Sequence, residues 1–232
     1  GPVKILIPTG SLGAGVREDE IRYGIERGIH AIATDAGSTD SGAAYLALGI
    51  SKNNRGSVKR DLTLLMKAGA AARIPLIVGS SGQAGGDENV DWTKEIALEV
   101  AAELGLKPRI AVIYSEQTKT TLKAKNAAGK VRALPPLGAL DDATIDACDH
   151  IVAVMGPEPY MEALQAGADI SLGGRTTDTA VIACFALLKG APAGPSWHAA
   201  KIAECGGQCA VNRLASAGVI ISIDSKGFEV EP

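Results

Sequence analysis

Aromatic side chains are scarce in this chain of 232 residues: two Phe, two Trp and four Tyr make up 3%. Single-strand nucleic acid binding relies on stacking platforms that such a chain can hardly supply. The same scarcity argues against a flat, stacked cofactor, so no haem, flavin or pyridoxal phosphate is expected. An excess of positive charge is missing too. Lys and Arg number 23 against 26 Asp and Glu, giving a formal net charge of -3 and a pI near 5.7, so no basic field awaits a phosphate backbone. Nucleic acid is therefore not an expected partner. Long hydrophobic runs are absent as well: the longest, from Thr179 to Leu188, stops at Lys189 well short of a bilayer span and reads as a buried helix. Cysteine is sparse, at 148, 184, 205 and 209, with no disulfide spacing, and no charged-then-apolar leader opens the chain. A cytoplasmic protein with reduced thiols and no membrane partner is expected.

Glycine is what abounds, at 28 residues, while 46% apolar and 21% charged residues fit a globular chain rather than a disordered one. The core must come from Ala, Ile, Leu and Val. The glycines belong where backbone turns tightly or approaches something closely. Gly1-Pro2 reads as the scar of a removed tag.

Short β-branched runs alternate with stretches of helical period, the pattern of an α/β fold with an open, mostly parallel, Rossmann-like sheet and helices on both faces. Strands are expected at 3–7, 31–34, 75–78, 109–114, 150–155 and 169–172, six parallel strands in all. Helices are expected at 17–27, 57–72, 90–104, 118–128, 141–147, 158–166 and 177–188, with Asp91 near one start, Gly105 at its end and Asp141-Asp142 opening another. An α/β domain over 3–217 would then be followed by a β-hairpin over 218–232, turning at Asp224 to Gly227. A lone hairpin is marginal, so it needs a partner surface and is read as the possible start of a further domain.

In an open parallel sheet, ligands gather at the carboxyl ends of the strands. Four strand-end loops there are unusual. The first carries Gly10, Ser11, Gly13 and Gly15, where free amides could hold a phosphate or carboxylate; the spacing fits neither G-x-G-x-x-G nor the Walker pattern. The second runs Asp35-Ala-Gly37-Ser38-Thr-Asp40-Ser-Gly42, oxygen-rich enough for a carboxylate acid and base pair or for a divalent metal between Asp35 and Asp40. The third, Gly79-Ser80-Ser81-Gly82-Gln83-Ala84-Gly85-Gly86, offers amides and hydroxyls suited to an anionic head group. In the fourth, Gly173-Gly174-Arg175-Thr176, Arg175 can fork a carboxylate or phosphate, or pair with Asp35 or Asp40. Glu116 and Glu158 lie at neighbouring strand ends. His198 and Cys205, seven residues apart, are spaced to share one helical groove, and a Cys/His nucleophile pair stays open beside a structural reading.

The strings Asp35-Ala-Gly-Ser-Thr-Asp-Ser-Gly42, Pro75-Leu-Ile-Val-Gly-Ser-Ser-Gly-Gln-Ala-Gly-Gly86, Gly173-Gly-Arg-Thr-Thr-Asp-Thr-Ala180 and Trp197-His-Ala-Ala-Lys-Ile-Ala-Glu-Cys-Gly206 together resemble the acyclic terpene utilisation (AtuA-type) family, collinearly from about residue 5 to 232. The resemblance implies an amino-terminal portion or short form of a longer protein, since members usually continue past the hairpin. It carries over no residue-level mechanism. Many members have Gly-Pro where this chain has Gly42-Ala43.

The functional expectation is an enzyme acting on a small carboxylate or acyl thioester, acyl-CoA included, as a lyase or hydratase in catabolism. Asp35, Asp40, Arg175 and His198 are its candidate catalytic residues, with the glycines and hydroxyls of the four loops as ligand contacts. Two alternatives stay open. Asp35 follows Gly15 by 20 residues, as a ribose-binding acid would in a nicotinamide-dependent oxidoreductase. The unpartnered hairpin instead suits a non-catalytic, partner-binding subunit. A homo-oligomer or a second subunit is expected in either case.

Overall fold

The computed structural model describes residues 1–37, 41–213 and 216–232. Its strands are β1 (Val3–Ile7), β2 (Ala31–Gly37), β3 (Leu76–Gln83), β4 (Ile110–Ile113), β5 (Ile170–Gly173), β6 (Val219–Asp224) and β7 (Gly227–Glu231), in one sheet of order β4-β5-β3-β2-β1-β6-β7. The first five pair in parallel; β6 lies antiparallel to β1 and to β7. The hairpin thus finds its partner surface in β1, within the main sheet. The helices are α1 (Glu18–Glu26), α2 (Ala44–Leu48), α3 (Arg55–Ala72), α4 (Asp87–Leu104), α5 (Lys119–Ala127), α6 (Asp142–Ala147), α7 (Glu158–Gln165), α8 (Asp178–Leu188) and α9 (Ala193–Ala203).

Successive strand residues point to opposite faces, and both faces are covered, which is why the strands read as continuous apolar runs. Leu76, Val78, Ile32 and Ile170 pack on one side against Leu62 and Leu65 of α3 and Ile96 and Val100 of α4. Ile77, Ile5 and Ile7 pack on the other against Val181 and Ile182 of α8 and Ala199 and Ala203 of α9. The run expected to be a buried helix is α8, buried from Ala180 to Ala186. No helix among the described residues is long and apolar enough to cross a membrane.

Local signals set the helix ends. Asn54 accepts the Ser57 amide at 2.8 Å, Asp141 accepts that of Thr144 at 2.7 Å, and Gly105 closes α4 at φ 66°. Helix α4 starts earlier than expected, because Asn89 accepts the Gly86 amide at 3.0 Å and fixes the first turn there. Asp91 consequently lies inside α4, bonded to Lys94 at 3.0 Å and to the Tyr114 hydroxyl at 2.5 Å.

The sixth parallel strand, expected at 150–155, is not formed. That segment is a strap across the carboxyl ends of β4 and β5. Ala153 N donates to Ser115 O at 2.9 Å, Gln117 N to Ile151 O at 2.7 Å, and Met155 N to Arg175 O at 3.0 Å. Its β-branched residues keep it extended, but it is only partly covered: Met155 packs on the core while Val154 is 60% exposed.

Candidate active site

In the structure β2 runs on to Gly37, β3 to Gln83 and β5 to Gly173, so the second, third and fourth glycine-rich segments, expected as loops, begin inside these strands; with the turn after β1 they belong to consecutive neighbours in the sheet and meet at one carboxyl edge. After β3 the chain crosses by α4 on one face, and after β5 it enters α8 on the other. The chain thus leaves the two strands towards opposite faces, the arrangement that in open α/β sheets marks the ligand-binding edge.

Many of these glycines serve close packing, some between the loops themselves and others against the helices. A Cβ on Gly37 would lie 2.6 Å from Ser80 Cβ and 3.0 Å from Arg175 Nη1. A Cβ on Gly85 would collide with the backbone of Gly174 and Arg175, and Gly85 sits at φ 71° besides. Gly79 lies against Val181, Gly82 against Asn89, Gly174 against Ser115 and Gly10 against the carbonyl of Cys205. Many of the amides expected to cradle an anion are bonded within the protein. Gly13, Gly15 and Val16 donate to the Asp61 carboxylate at 2.8, 3.1 and 3.2 Å. Gly85 donates to Ser81 O, Gly86 to Asn89 and Asp87 to Glu116. Ser11 N points at the Thr9 hydroxyl, 3.5 Å away.

Two buried non-glycine residues of the third loop, Ser80 at φ 48° and Gln83 at φ 79°, occupy the left-handed region. Such conformations cost free energy and gather at functional sites. Ser80 is locked to the fourth loop by its hydroxyl, which accepts from Thr176 N and donates to Thr176 O, both at 3.2 Å. The Ser81 hydroxyl is buried with no hydrogen-bond partner among the described residues.

Within this frame sits an acid pair and an arginine. Asp35 is 3% exposed, accepts the Gly37 amide at 3.1 Å and lies close enough to Asp178 and Arg175 to feel the charge of each. Burial pushes its carboxyl well above the ordinary carboxylate range, and the Asp178 charge pushes it further. The Gly37 amide and the Arg175 guanidinium oppose that shift. Arg175 Nη2 stands 3.6 Å from Asp178 Oδ1. Below them Tyr160, fully buried, shares a 2.6 Å hydrogen bond with the Thr176 hydroxyl, and burial raises its phenol. Cys205 is on the solvent side. Partial burial raises its thiol, and the charges of Glu204, Asp178 and Asp35 add to the rise.

The structure thus brings Asp35, Arg175, Thr176 and the third loop together, and leaves His198 apart. His198 lies on the exposed side of α9, edge-on to Phe228 of β7 with ring centroids 4.9 Å apart. Helix α9 ends at Ala203, so Cys205 follows the helix rather than sharing a groove with His198. Ser38 and Asp40 lie outside the described residues. Among the described residues no group of three or more His, Cys, Asp or Glu is placed to hold a metal ion. Asp178 and His150 were not singled out from the sequence. Asp178 was legible only as a polar residue at a helix start. The pair His150 Nδ1 to Glu116 Oε1, at 2.5 Å, joins residues 34 apart and had no local signal. A cleft of about 800 Å³ at the opposite, amino edge, lined by Met66, Leu106, Ile170 and Phe185 among others, includes none of the expected site residues.

Fold and site define an α/β protein of the open, doubly covered kind, with a buried carboxyl, a half-exposed second carboxyl and a buried arginine at the carboxyl edge of its sheet. Residues 57–225 match the family model described as acyclic terpene utilisation family protein AtuA. The chain belongs to that family. No curated protein and no solved structure matches it.

Proposed function

We propose that this protein is an acid–base enzyme acting on a small carboxylate or acyl thioester, a lyase or hydratase by reaction class. The observation that carries the reading is Asp35, a buried carboxyl held towards its neutral form beside a second carboxyl and a buried arginine. Addition or elimination next to a carbonyl needs a proton delivered or removed at one position, and a carboxyl with a raised pKa suits that exchange near neutral pH. Arg175 supplies the charge that orients an anionic substrate and offsets charge developing on it. The aromatic-poor surroundings suit a small acyl group better than a stacked ring.

The nicotinamide reading rests on the spacing of Asp35 from Gly15, and the first-loop amides that would have to seat a pyrophosphate are bonded to Asp61 instead. Incubating the native chain with a panel of short carboxylates and acyl thioesters in deuterated water tests the acid–base reading. Solvent deuterium should enter at least one compound at carbon next to its carbonyl, and Asp35→Asn should abolish it. A folded native chain that exchanges none of the panel would sink the proposal.

A further inference from the structure

Resting on that reading of Asp35 and Arg175, we infer that the Nε and Nη2 edge of Arg175 is the seat of a substrate carboxylate. In the free protein Asp178 stands before it as an internal counter-anion that the substrate displaces.

A guanidinium presents its Nε and Nη2 protons in parallel, and a planar carboxylate matches that edge with two hydrogen bonds. Three observations place Arg175 in an unfinished version of that arrangement. Its Nη1 side is closed by Gly37, where a single methyl would come to 3.0 Å. Its Nη2 faces Asp178 Oδ1 across 3.6 Å, too far for a hydrogen bond. Its Nε is buried with no partner among the described residues, and so is Asp178 Oδ1. Arg175 is only 7% exposed, and a buried charged donor left unpaired is costly. Acid and base therefore face each other with Nε and Oδ1 both left unpaired, as expected where the site fits a different pair of oxygens.

The two residues also differ in how firmly they are held. Arg175 is fixed through its backbone, with N donating to the Ser115 hydroxyl at 2.7 Å and to Gly85 O at 3.1 Å, and O accepting from Met155 N. Asp178 is the first residue of α8, and its side chain is 36% exposed. It can turn outward and still meet the positive end of the helix. An entering carboxylate would take its place on a rigid fork. Asp35, whose carboxyl feels the charges of both Asp178 and Arg175, would then lie near that carboxylate.

Calorimetric titration with propionate, malonate and inorganic phosphate tests this on the full chain. Removing the competing charge in Asp178→Asn should tighten propionate binding by about tenfold or more, because one unit charge a few ångströms away is withdrawn. Adding Arg175→Lys, which keeps the charge but not the fork, should abolish the gain. Asp178→Ser provides the same comparison should the Asn variant fold poorly. Equal propionate affinity in native and Asp178 variants would overturn the inference, as would binding that survives Arg175→Lys or that phosphate alone shows. The Asp35→Asn, Asp178→Asn double variant separates the two readings. Retained propionate binding supports the seat whatever the deuterium exchange shows, and loss of binding counts against it.

Discussion

Asp61 of α3 accepts the Gly13 amide at 2.8 Å across 48 residues, and the same carboxylate takes the amides of Gly15 and Val16. An anion-binding turn is indeed present after β1, and its anion is the protein's own. Asp61 is 1% exposed, so removing it leaves three donors short of a partner. Asp61→Ala should cost about 3 kcal/mol or more of stability, with Asp61→Asn recovering part. Urea denaturation of the two variants gives the comparison, and a loss under about 1 kcal/mol would show that water replaces the carboxylate.

A second expectation concerns the pH dependence of Asp35. A carboxyl raised in the folded state binds its proton more tightly there than in the unfolded chain. Stability is therefore lost as pH rises from the ordinary value of 3.8 towards the raised one. Asn keeps an oxygen for the Gly37 amide but carries no charge. Asp35→Asn should melt higher than the native chain, with the gap widening as pH rises, at roughly 2–4 °C for each kcal/mol. Melting curves between about pH 5 and pH 8 check it, and parallel curves would show that Asp35 does not change protonation there.

His150 should act with the opposite sign. Its hydrogen bond to Glu116 raises its pKa above the ordinary 6.5, with the charges of Glu88 and Asp149 adding and burial opposing. Asp87 also faces this pair. The stabilisation is present in full below about 6.5 and is lost as pH rises through the raised value. Hydrogen exchange of the strap at 150–155, corrected for intrinsic rates, should quicken over that range in the native chain. A step of the same size in His150→Gln would remove His150 as its cause.

Glycine substitutions should separate packed from open positions. Gly37→Ala forces its methyl against Ser80 and Arg175 and should cost about 2 kcal/mol or more. Gly194→Ala, in the first turn of α9 with nothing within 4 Å, should be neutral or slightly stabilising. Denaturation midpoints of both variants against the native chain decide the matter, and equal effects would mean the loops can part to admit a side chain.

Much of the fold was legible because it follows local rules. The apolar runs at 3–7 and 75–78 became β1 and β3, and Gly105 and Asp141 mark the helix ends they were expected to mark. The run at 150–155 misled because a β-branched composition dictates an extended backbone but not membership of a sheet. Whether such a segment pairs as a strand depends on what covers it, and here Val154 is left exposed. The site divides in the same way. Asp35 and Arg175 could be singled out as charged residues at strand ends, whereas the contribution of Asp178 depends on how α8 leaves β5.

The sequence by itself determined that this chain forms helices around a mostly parallel sheet and that its glycines crowd the strand ends, because period, capping and turn chemistry act over a few residues. Only the tertiary structure decided what those glycines touch. Amides that a local reading offers to a ligand are bonded to Asp61, Asn89 and Glu116, and the glycines make room for Arg175, Ser80 and Ser115 instead. Burial likewise sets the protonation of Asp35, since desolvation comes from elements far away in the chain.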